Sequence, residues 1–248
     1  MNVTITLLPK VARLFLYQGV MIMGKTLTVK GISKNYKIGN AQVHALKSTT
    51  LEINKGEIVV VIGKSGSGKS TFLNILGGLI VPDSGEVLLD GKNLYALSEK
   101  ERAKIRNQKC GFIYQSFNLI NELSVINNIR LPFDIAGKPY NTKREKELLD
   151  ILDLGKRRNF YPTQLSGGER QRTAVARALL MQPSIILADE PTGNLDLESG
   201  NKLMAFVKRT NIEQGQTYVI VTHDLEWLKI AHTVYRMSDG RLEREVQK

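Results

Sequence analysis

The chain has 248 residues, of which 42% are hydrophobic and 24% are charged. These proportions are typical of a globular protein with a core of its own, and they exclude a collagen-like or wholly disordered chain. Cys110 is the single cysteine, so an internal disulfide is impossible and a disulfide-framed secreted domain is excluded. The 35 Lys and Arg residues outnumber the 24 Asp and Glu residues, which gives a net charge of +11. This excess favours either an anionic partner, such as a nucleotide, nucleic acid or membrane face, or a solvated basic surface.

Residues 1–24 are predicted to form an extension outside the folded domain. The apolar residues 14–23 follow Lys10 and Arg13 as in a weak signal peptide, but no small-residue cleavage site comes after them. They are also too few for a membrane-spanning helix, which needs about 20 apolar residues. The extension is therefore interpreted as disordered or peripheral, or alternatively as a short helix lying on a membrane surface. Since no long apolar run occurs elsewhere, the folded part is expected to be soluble and cytoplasmic.

The first half of the folded region is predicted to be rich in strands. The strand-like segments there are residues 27–32, 43–46, 51–53, 57–62, 87–89 and 112–114. Among them, residues 57–62 form a continuous and mostly β-branched run, which is typical of a strand buried on both faces of a parallel sheet. A helix is predicted over residues 69–76, with Gly77-Gly78 as its C-terminal cap.

A helical insert is predicted in the middle of the chain, within residues 118–155. Pro132 and Pro139 are expected to interrupt it. The apolar positions predicted for one helical face are Leu148, Ile151 and Leu152.

Buried strands resume after the insert, at residues 185–187 and 218–221. A helix between them is predicted to bury Leu203, Phe206 and Val207, and a turn is predicted at residues 238–240. The alternation of strands and helices indicates an α/β fold with a parallel sheet.

The strongest motif is the octapeptide GKSGSGKS at residues 63–70, which follows a buried strand and opens a helix. Its pattern is that of a phosphate-binding loop, in which backbone N–H groups and the helix N-terminus surround phosphate oxygens. Lys69 is expected to bridge the β- and γ-phosphates, and the Ser70 hydroxyl to ligate Mg²⁺. The candidate nucleotide-binding residues of this segment are Gly63, Ser65, Gly66, Ser67, Gly68, Lys69, Ser70 and Thr71.

A pair of carboxylates ends the strand-like run at residues 185–190, IILADE. In a nucleoside-triphosphate site, Asp189 would hold Mg²⁺ and Glu190 would polarise the attacking water. By themselves, two acids at the end of a strand are equally consistent with solvated side chains, and the phosphate loop is what favours the chemical interpretation.

A third motif is LSGGE at residues 165–169. Ser166 and Glu169 alone would be explained by a capping box, because a helix is predicted next. A capping box does not require the pair Gly167-Gly168, whereas close approach of backbone N–H groups to a phosphate does. These five residues resemble the signature motif of ATP-binding cassette (ABC) ATPases, which makes Ser166, Gly167 and Gly168 candidate ATP-binding residues.

The resemblance extends over residues 27–243, and further positions match it in order. They are Gln115 for the Q-loop, residues 194–196 for the D-loop, His223 for the switch histidine, and Tyr36 for the aromatic ring stacked on adenine. Taken singly, each could be an ordinary strand or capping residue. The resemblance implies that Glu190, His223 and Gln115 are catalytic, and that Ser70, Gln115 and Asp189 are the metal ligands.

The resemblance also implies an architecture and partners. The α/β fold would be a P-loop NTPase core with a parallel sheet, an antiparallel β edge subdomain and a helical subdomain at about 116–165, within a domain spanning 25–248. Two copies would meet head to tail as a homodimer, with Ser166 and Gly168 of one chain reaching the γ-phosphate in the other. ATP and Mg²⁺ are the implied cofactors. The chain would dock on transmembrane permease subunits, peripheral on the cytoplasmic face of the cell membrane, and no nucleic-acid partner is expected.

Residues 190–196, EPTGNLD, resemble the branch that contains lipoprotein-releasing and macrolide- or peptide-exporting ATPases. This favours a role in export, extraction or peptide resistance. Lys64 departs from the proline or arginine usual in that branch, but it lies in the variable part of the loop. An alternative is an ATPase that transmits force or a signal to an extracytoplasmic partner without transport. A DNA-maintenance ATPase with the same cassette is more remote, because such proteins carry long coiled-coil insertions between the phosphate loop and the signature.

Overall fold

The computed structural model describes residues 24–39 and 41–245, so the extension predicted for residues 1–24 lies outside the described residues except for Gly24. Two β-sheets and the helices packed against them make up this part of the chain. The strands are β1 Lys25–Ile38, β2 Ala41–Asn54, β3 Ile58–Ile62, β4 Ser84–Leu89, β5 Lys92–Asn93, β6 Cys110–Tyr114, β7 Ile185–Asp189, β8 Thr217–Thr222, β9 Thr233–Ser238 and β10 Arg241–Glu245. The α-helices are α1 Lys69–Leu76, α2 Glu99–Lys109, α3 Val125–Ala136, α4 Thr142–Ile151, α5 Gly167–Leu180 and α6 Leu197–Gln214.

The larger sheet carries the strands that end at the predicted motifs. Its order is β10-β9-β3-β8-β7-β6, and its neighbours are parallel except for the antiparallel pair of β9 and β10. All five residues of β3 are buried, which confirms the prediction of a strand covered on both faces. Because β3, β6, β7 and β8 run in one direction, their carboxyl ends meet at one edge of the sheet.

The smaller sheet is antiparallel, with the order β2-β1-β4-β5. The sequence predicted two short segments where the structure has the single strand β2, 14 residues long. Leu46, Leu51 and Ile53 are buried along it, whereas most residues between them are exposed. An edge strand with one solvated face therefore interrupts the apolar pattern without interrupting the backbone pairing.

Strand β3 separates two hydrophobic cores. The side chains of Val60 and Ile62 join the core that helices α3, α4, α5 and α6 cover. Val59 and Val61 point to the other core, which α1 and the antiparallel sheet cover. This alternation follows from the period of two along a strand.

Two helices agree closely with the sequence prediction. Helix α1 spans the predicted residues, and the backbone N–H groups of Gly77 and Gly78 cap it by donating to the carbonyls of Leu73 and Ile75, respectively. Helix α6 buries the three predicted apolar residues, Leu203, Phe206 and Val207. Helix α2 was not anticipated, although a capping box formed by Ser98 and Glu101 opens it.

The helical insert differs from the prediction in two respects. Pro132 lies inside α3 and does not end it, because the buried side chains of Val125, Ile126 and Ile129 hold this helix in the core. Ile151 is 44% exposed, whereas Leu148 and Leu152 are buried as expected. Within residues 24–39 and 41–245, no helix combines the length and the apolar character needed to cross a membrane.

Candidate nucleotide-binding site

The phosphate loop joins β3 to α1, where the sequence predicted it. Gly68 is the residue before the helix and has φ 107°, a backbone conformation that side chains disfavour. A Cβ on Gly68 would overlap the carbonyl oxygen of Ala45, and a Cβ on Gly63 would overlap that of Met237. The two glycines therefore let the loop pack directly on the main chain of β2 and β9.

Lys69 is 7% exposed and its ammonium group folds back over the loop. Its Nζ donates to the carbonyl oxygens of Gly63 at 2.8 Å and Lys64 at 3.1 Å, and it lies 3.7 Å from Oε1 of Glu190. The cation is thus held at the mouth of the loop, close to the carboxylates at the end of β7.

Asp189 ends β7 and pairs in register with Tyr114 on β6 and Val221 on β8. Burial raises the pKa of Asp189 above its usual range; the nearby charge of Glu190 acts in the same direction, while Ser70 and Lys69 act against it. A buried carboxylate that is costly to ionise favours a neighbouring cation, since a cation offsets the desolvation. Together with the Ser70 hydroxyl, the Asp189 carboxylate offers the hard oxygen ligands that Mg²⁺ prefers.

Glu190 follows β7 with φ 46°, an uncommon value for a residue with a side chain. Its Oε2 accepts hydrogen bonds from the Thr222 hydroxyl at 2.8 Å and from the backbone N–H of His223 at 3.2 Å. Nδ1 of His223 lies 3.0 Å from the same oxygen. The carboxylate is therefore fixed against the segment that follows β8.

Gln115 follows β6, and its carbonyl oxygen accepts a 2.8 Å hydrogen bond from the side chain of Asn194. The turn after it contains two residues with positive φ, Phe117 at 63° and Asn118 at 48°. The Arg177 guanidinium, on α5, donates to the carbonyl oxygens of both, at 2.8 Å and 2.5 Å. Arg177, on the helix that begins at the signature motif, thus holds the turn that follows Gln115.

These segments surround a cavity of about 1080 Å³. The predicted site residues that line it are Tyr36, Ser65, Gly66, Gly68, Lys69, Ser70, Thr71, Gln115, Asp189, Glu190 and His223. Gly63 and Ser67 instead line a smaller cavity of about 340 Å³ on the other side of the loop, beside Arg236. The large cavity therefore brings together the phosphate loop, the rings of Tyr36 and Tyr114, and the polar residues at the ends of three parallel strands.

The signature segment lies elsewhere. Ser166 caps α5 and forms the predicted capping box with Glu169, whose carboxylate also accepts a 2.6 Å bond from Arg157. Gly168 lines a separate cavity of about 430 Å³. Ser166, Gly167 and Gly168 are not among the residues that line the large cavity. The signature thus belongs to a different face of the described chain from the phosphate loop.

Several cavity-lining residues were not found by sequence reasoning. They are Val43, His44, Ala45, Lys47, Lys64, Tyr114, Ser116, Asp239 and Gly240. The predicted turn at residues 238–240 supports the loop, because the N–H of Gly240 donates to the carbonyl of Ser67. In turn, the carbonyl of Gly240 accepts from the N–H of Lys47. Apart from Lys64, which lies inside the phosphate-loop octapeptide, only the Asp239-Gly240 pair gave a local signal, that of a two-residue hairpin turn.

The parallel sheet and its phosphate loop define a P-loop nucleoside triphosphatase, and comparisons with known proteins narrow the class. Residues 46–193 match the family described as ABC transporter. The chain is 45% identical over 219 residues to the lipoprotein-releasing system ATP-binding protein LolD of Shewanella frigidimarina, which covers 88% of this chain and 92% of that protein.

Solved structures agree with these sequence relationships. The chain resembles the dimeric structure of MJ0796, a bacterial ABC transporter cassette, of Methanocaldococcus jannaschii, with a TM-score of 0.82 and 42% identity. A post-hydrolysis state of the same cassette, bound to ADP and Pi, matches with a TM-score of 0.82 and 41% identity. Each match covers 90% of this chain and 100% of the other.

The chain belongs to the ABC transporter family. It is an ATP-binding and ATP-hydrolysing subunit of that family, which confirms the predicted enzyme class. The predicted α/β P-loop NTPase fold is confirmed as well.

Proposed function

We propose that the large cavity binds ATP with Mg²⁺ and that its residues divide the work of hydrolysis. The phosphate loop and Lys69 hold the β- and γ-phosphates, while Ser70, Gln115 and Asp189 ligate the metal. Glu190 polarises the attacking water and His223 contacts the γ-phosphate. Mg²⁺ neutralises charge on the phosphates when it is bound. Lys69 places a further positive charge on the leaving oxygens, and this kind of electrostatic support is what phosphoryl transfer mainly requires.

The observation that carries this proposal is the separation of the two phosphate-binding motifs. The large cavity contains the phosphate loop, Asp189 and Glu190 but none of the signature residues 166–168. A second copy, turned head to tail, would supply Ser166 and Gly168 to close each site over the γ-phosphate. The dimeric form of the MJ0796 cassette supports this arrangement.

The cycle of closure and release would drive separate transmembrane subunits, with this chain peripheral on the cytoplasmic face of the membrane. The similarity to a lipoprotein-releasing ATPase favours export or extraction from the membrane as the work performed.

The change Glu190→Gln tests the proposal most directly. It preserves the size of the side chain and its hydrogen bonds but removes the carboxylate that would polarise the water. ATP would then bind without being hydrolysed, and a ligand that binds only the closed state shifts the population towards that state. We expect an ATP-dependent shift from monomer to dimer in size-exclusion chromatography, and loss of ATP hydrolysis.

Two further variants control this experiment. Adding Ser166→Arg to Glu190→Gln should abolish the dimer, because a bulky cation would block the contact supplied by the second copy. Glu226→Gln removes an exposed carboxylate three residues after His223 in the chain, one that pairs with Lys229, and should leave hydrolysis unchanged. A Glu190→Gln protein that hydrolyses ATP at the parent rate would refute the assignment.

A further inference from the structure

Thr222 is the last residue of β8, and it is completely buried. It lies between the segment that follows β7, which contains Glu190, and the segment that follows β8, which contains His223; both residues line the large cavity. Its hydroxyl oxygen is 2.8 Å from Oε2 of Glu190 and 3.0 Å from the backbone nitrogen of Asp224. A single buried hydroxyl therefore joins these two segments.

The direction of both hydrogen bonds is fixed by chemistry. A backbone N–H can only donate, so Asp224 donates to the hydroxyl oxygen of Thr222. An ionised carboxylate can only accept, so the one proton of the Thr222 hydroxyl is directed at Glu190. Any rotation of the Thr222 hydroxyl away from Glu190 would therefore break at least one of these two hydrogen bonds.

Asp224 is itself held by a chain of hydrogen bonds that begins in the core. The indole N–H of Trp227, which is 0% exposed, donates to the hydroxyl oxygen of Thr192 at 3.2 Å. The Thr192 hydroxyl donates in turn to Oδ2 of Asp224 at 3.2 Å. An indole N–H can only donate, so Trp227 fixes the direction of the bonds through Thr192 to the Asp224 side chain. The link from Asp224 to Thr222 is made separately, by the backbone N–H of Asp224.

We propose that Thr222 is a positioning residue for ATP hydrolysis, and that the chain from Trp227 through Thr192 and Asp224 holds its hydroxyl on the Glu190 carboxylate. The uncommon φ of Glu190 makes such support necessary, because strained conformations persist only where neighbouring contacts enforce them. Thr222 does not line the cavity, so it acts through Glu190 and not on the nucleotide. This inference rests on the proposed role of Glu190.

Thr222→Val and Thr222→Ser form a matched pair. The valine variant keeps the β-branched shape but loses the hydroxyl, whereas the serine variant keeps the hydroxyl but loses the methyl group. In the full chain, Thr222→Val should lower kcat about tenfold, the effect of losing one hydrogen bond to a charged group. The KM for ATP and the affinity for a fluorescent ATP analogue should stay within about twofold, because ground-state binding does not use this bond. Thr222→Ser should retain kcat within about twofold, since it keeps the donor.

A double-mutant comparison separates positioning from general damage. In the Glu190→Gln background, which is expected to bind ATP without hydrolysing it, adding Thr222→Val should leave the ATP-dependent dimer intact, because ATP binding does not use this hydrogen bond. Thermal melting identifies any variant that does not fold. Should Thr222→Val fail to fold, Thr222→Ala removes the same hydroxyl without adding a buried methyl group, and the same fall in kcat is expected.

Three results would overturn the inference. Thr222→Val with the parent kcat would show that the bond does not matter. Equal losses in the Ser and Val variants would assign the effect to packing. Loss of the ATP-dependent dimer when Thr222→Val is added to Glu190→Gln would assign the effect to general damage of the nucleotide site. Glu190→Gln with the parent activity would instead refute the proposed function as well, so the two failures are distinguishable.

Discussion

Replacing Gly68 by alanine should damage the phosphate loop more than a comparable change elsewhere. Gly68 has φ 107°, and a Cβ there would overlap the carbonyl oxygen of Ala45, which is main chain and cannot rotate away. Gly91, in the turn between β4 and β5, has φ 79° but nothing within 4 Å of the added Cβ. Comparing Gly68→Ala with Gly91→Ala therefore separates the cost of a positive φ from the cost of steric overlap with Ala45.

The magnitude follows from these two contributions. A side chain at positive φ costs about 1–2 kcal/mol, which both variants should lose in free energy of unfolding. Overlap with a well-packed neighbour costs about 1–3 kcal/mol more, and only Gly68→Ala meets it. At about 3 °C per kcal/mol for a domain of this size, Gly68→Ala should melt about 6 °C below Gly91→Ala.

Differential scanning fluorimetry and ATP-analogue binding would measure both consequences. The loop can relieve the overlap by moving away from Ala45, but its backbone N–H groups would then no longer converge on the phosphates. Gly68→Ala should therefore lose nucleotide affinity as well as stability, while Gly91→Ala should bind ATP normally. If the two variants melt at the same temperature and bind ATP equally well, the close packing of the loop on β2 has no energetic importance.

Three other predictions concern the same site. Lys69→Ala should abolish ATP binding or turnover, because it removes the charge placed on the phosphates; near-normal hydrolysis would contradict the assignment. Asp189→Asn should lose Mg²⁺-dependent hydrolysis in a metal titration, and an unchanged Mg²⁺ dependence would point to another acid. Deletion of residues 1–20 should leave the ATPase rate unchanged, since no motif lies there; loss of hydrolysis would show that the extension contributes to the fold.

The parts of the fold with a strong local signal were predictable from the sequence. The buried β-branched run of β3, the glycines of the loop and the cap at Gly77 define the β3–α1 unit within a few residues. Helix α6 was predicted from the spacing of Leu203, Phe206 and Val207, because a helix buries positions three or four apart. Pro132 misled the prediction because local propensity counts the lost hydrogen bond but not the packing that compensates for it.

The site was predictable only where residues carry a motif. Asp189 could be placed because it ends a buried strand, and Gln115 and His223 because each follows a strand and matches the order of the family's motifs. Thr222 could not, since its role depends on Asp224 and Glu190 meeting in space, and a threonine at the end of a strand has no distinctive pattern. The hydrogen bond from Gly240 to Ser67 of the phosphate loop was not predictable for the same reason, because the two residues are far apart in the sequence.

Helix α5 connects two regions that serve different nucleotides in the proposed dimer. Ser166 caps the N-terminus of this helix and Arg177 lies eleven residues later, about 16 Å along the axis at ~1.5 Å per residue. Arg177 grips the carbonyl oxygens of Phe117 and Asn118, just beyond Gln115. A rigid rod cannot move at one end alone, so a signature pulled towards the partner's ATP would tilt the turn behind Gln115 in its own subunit. Helix α5 would then couple the two nucleotide sites mechanically, because its hydrogen-bonded backbone transmits a movement at one end to the other end.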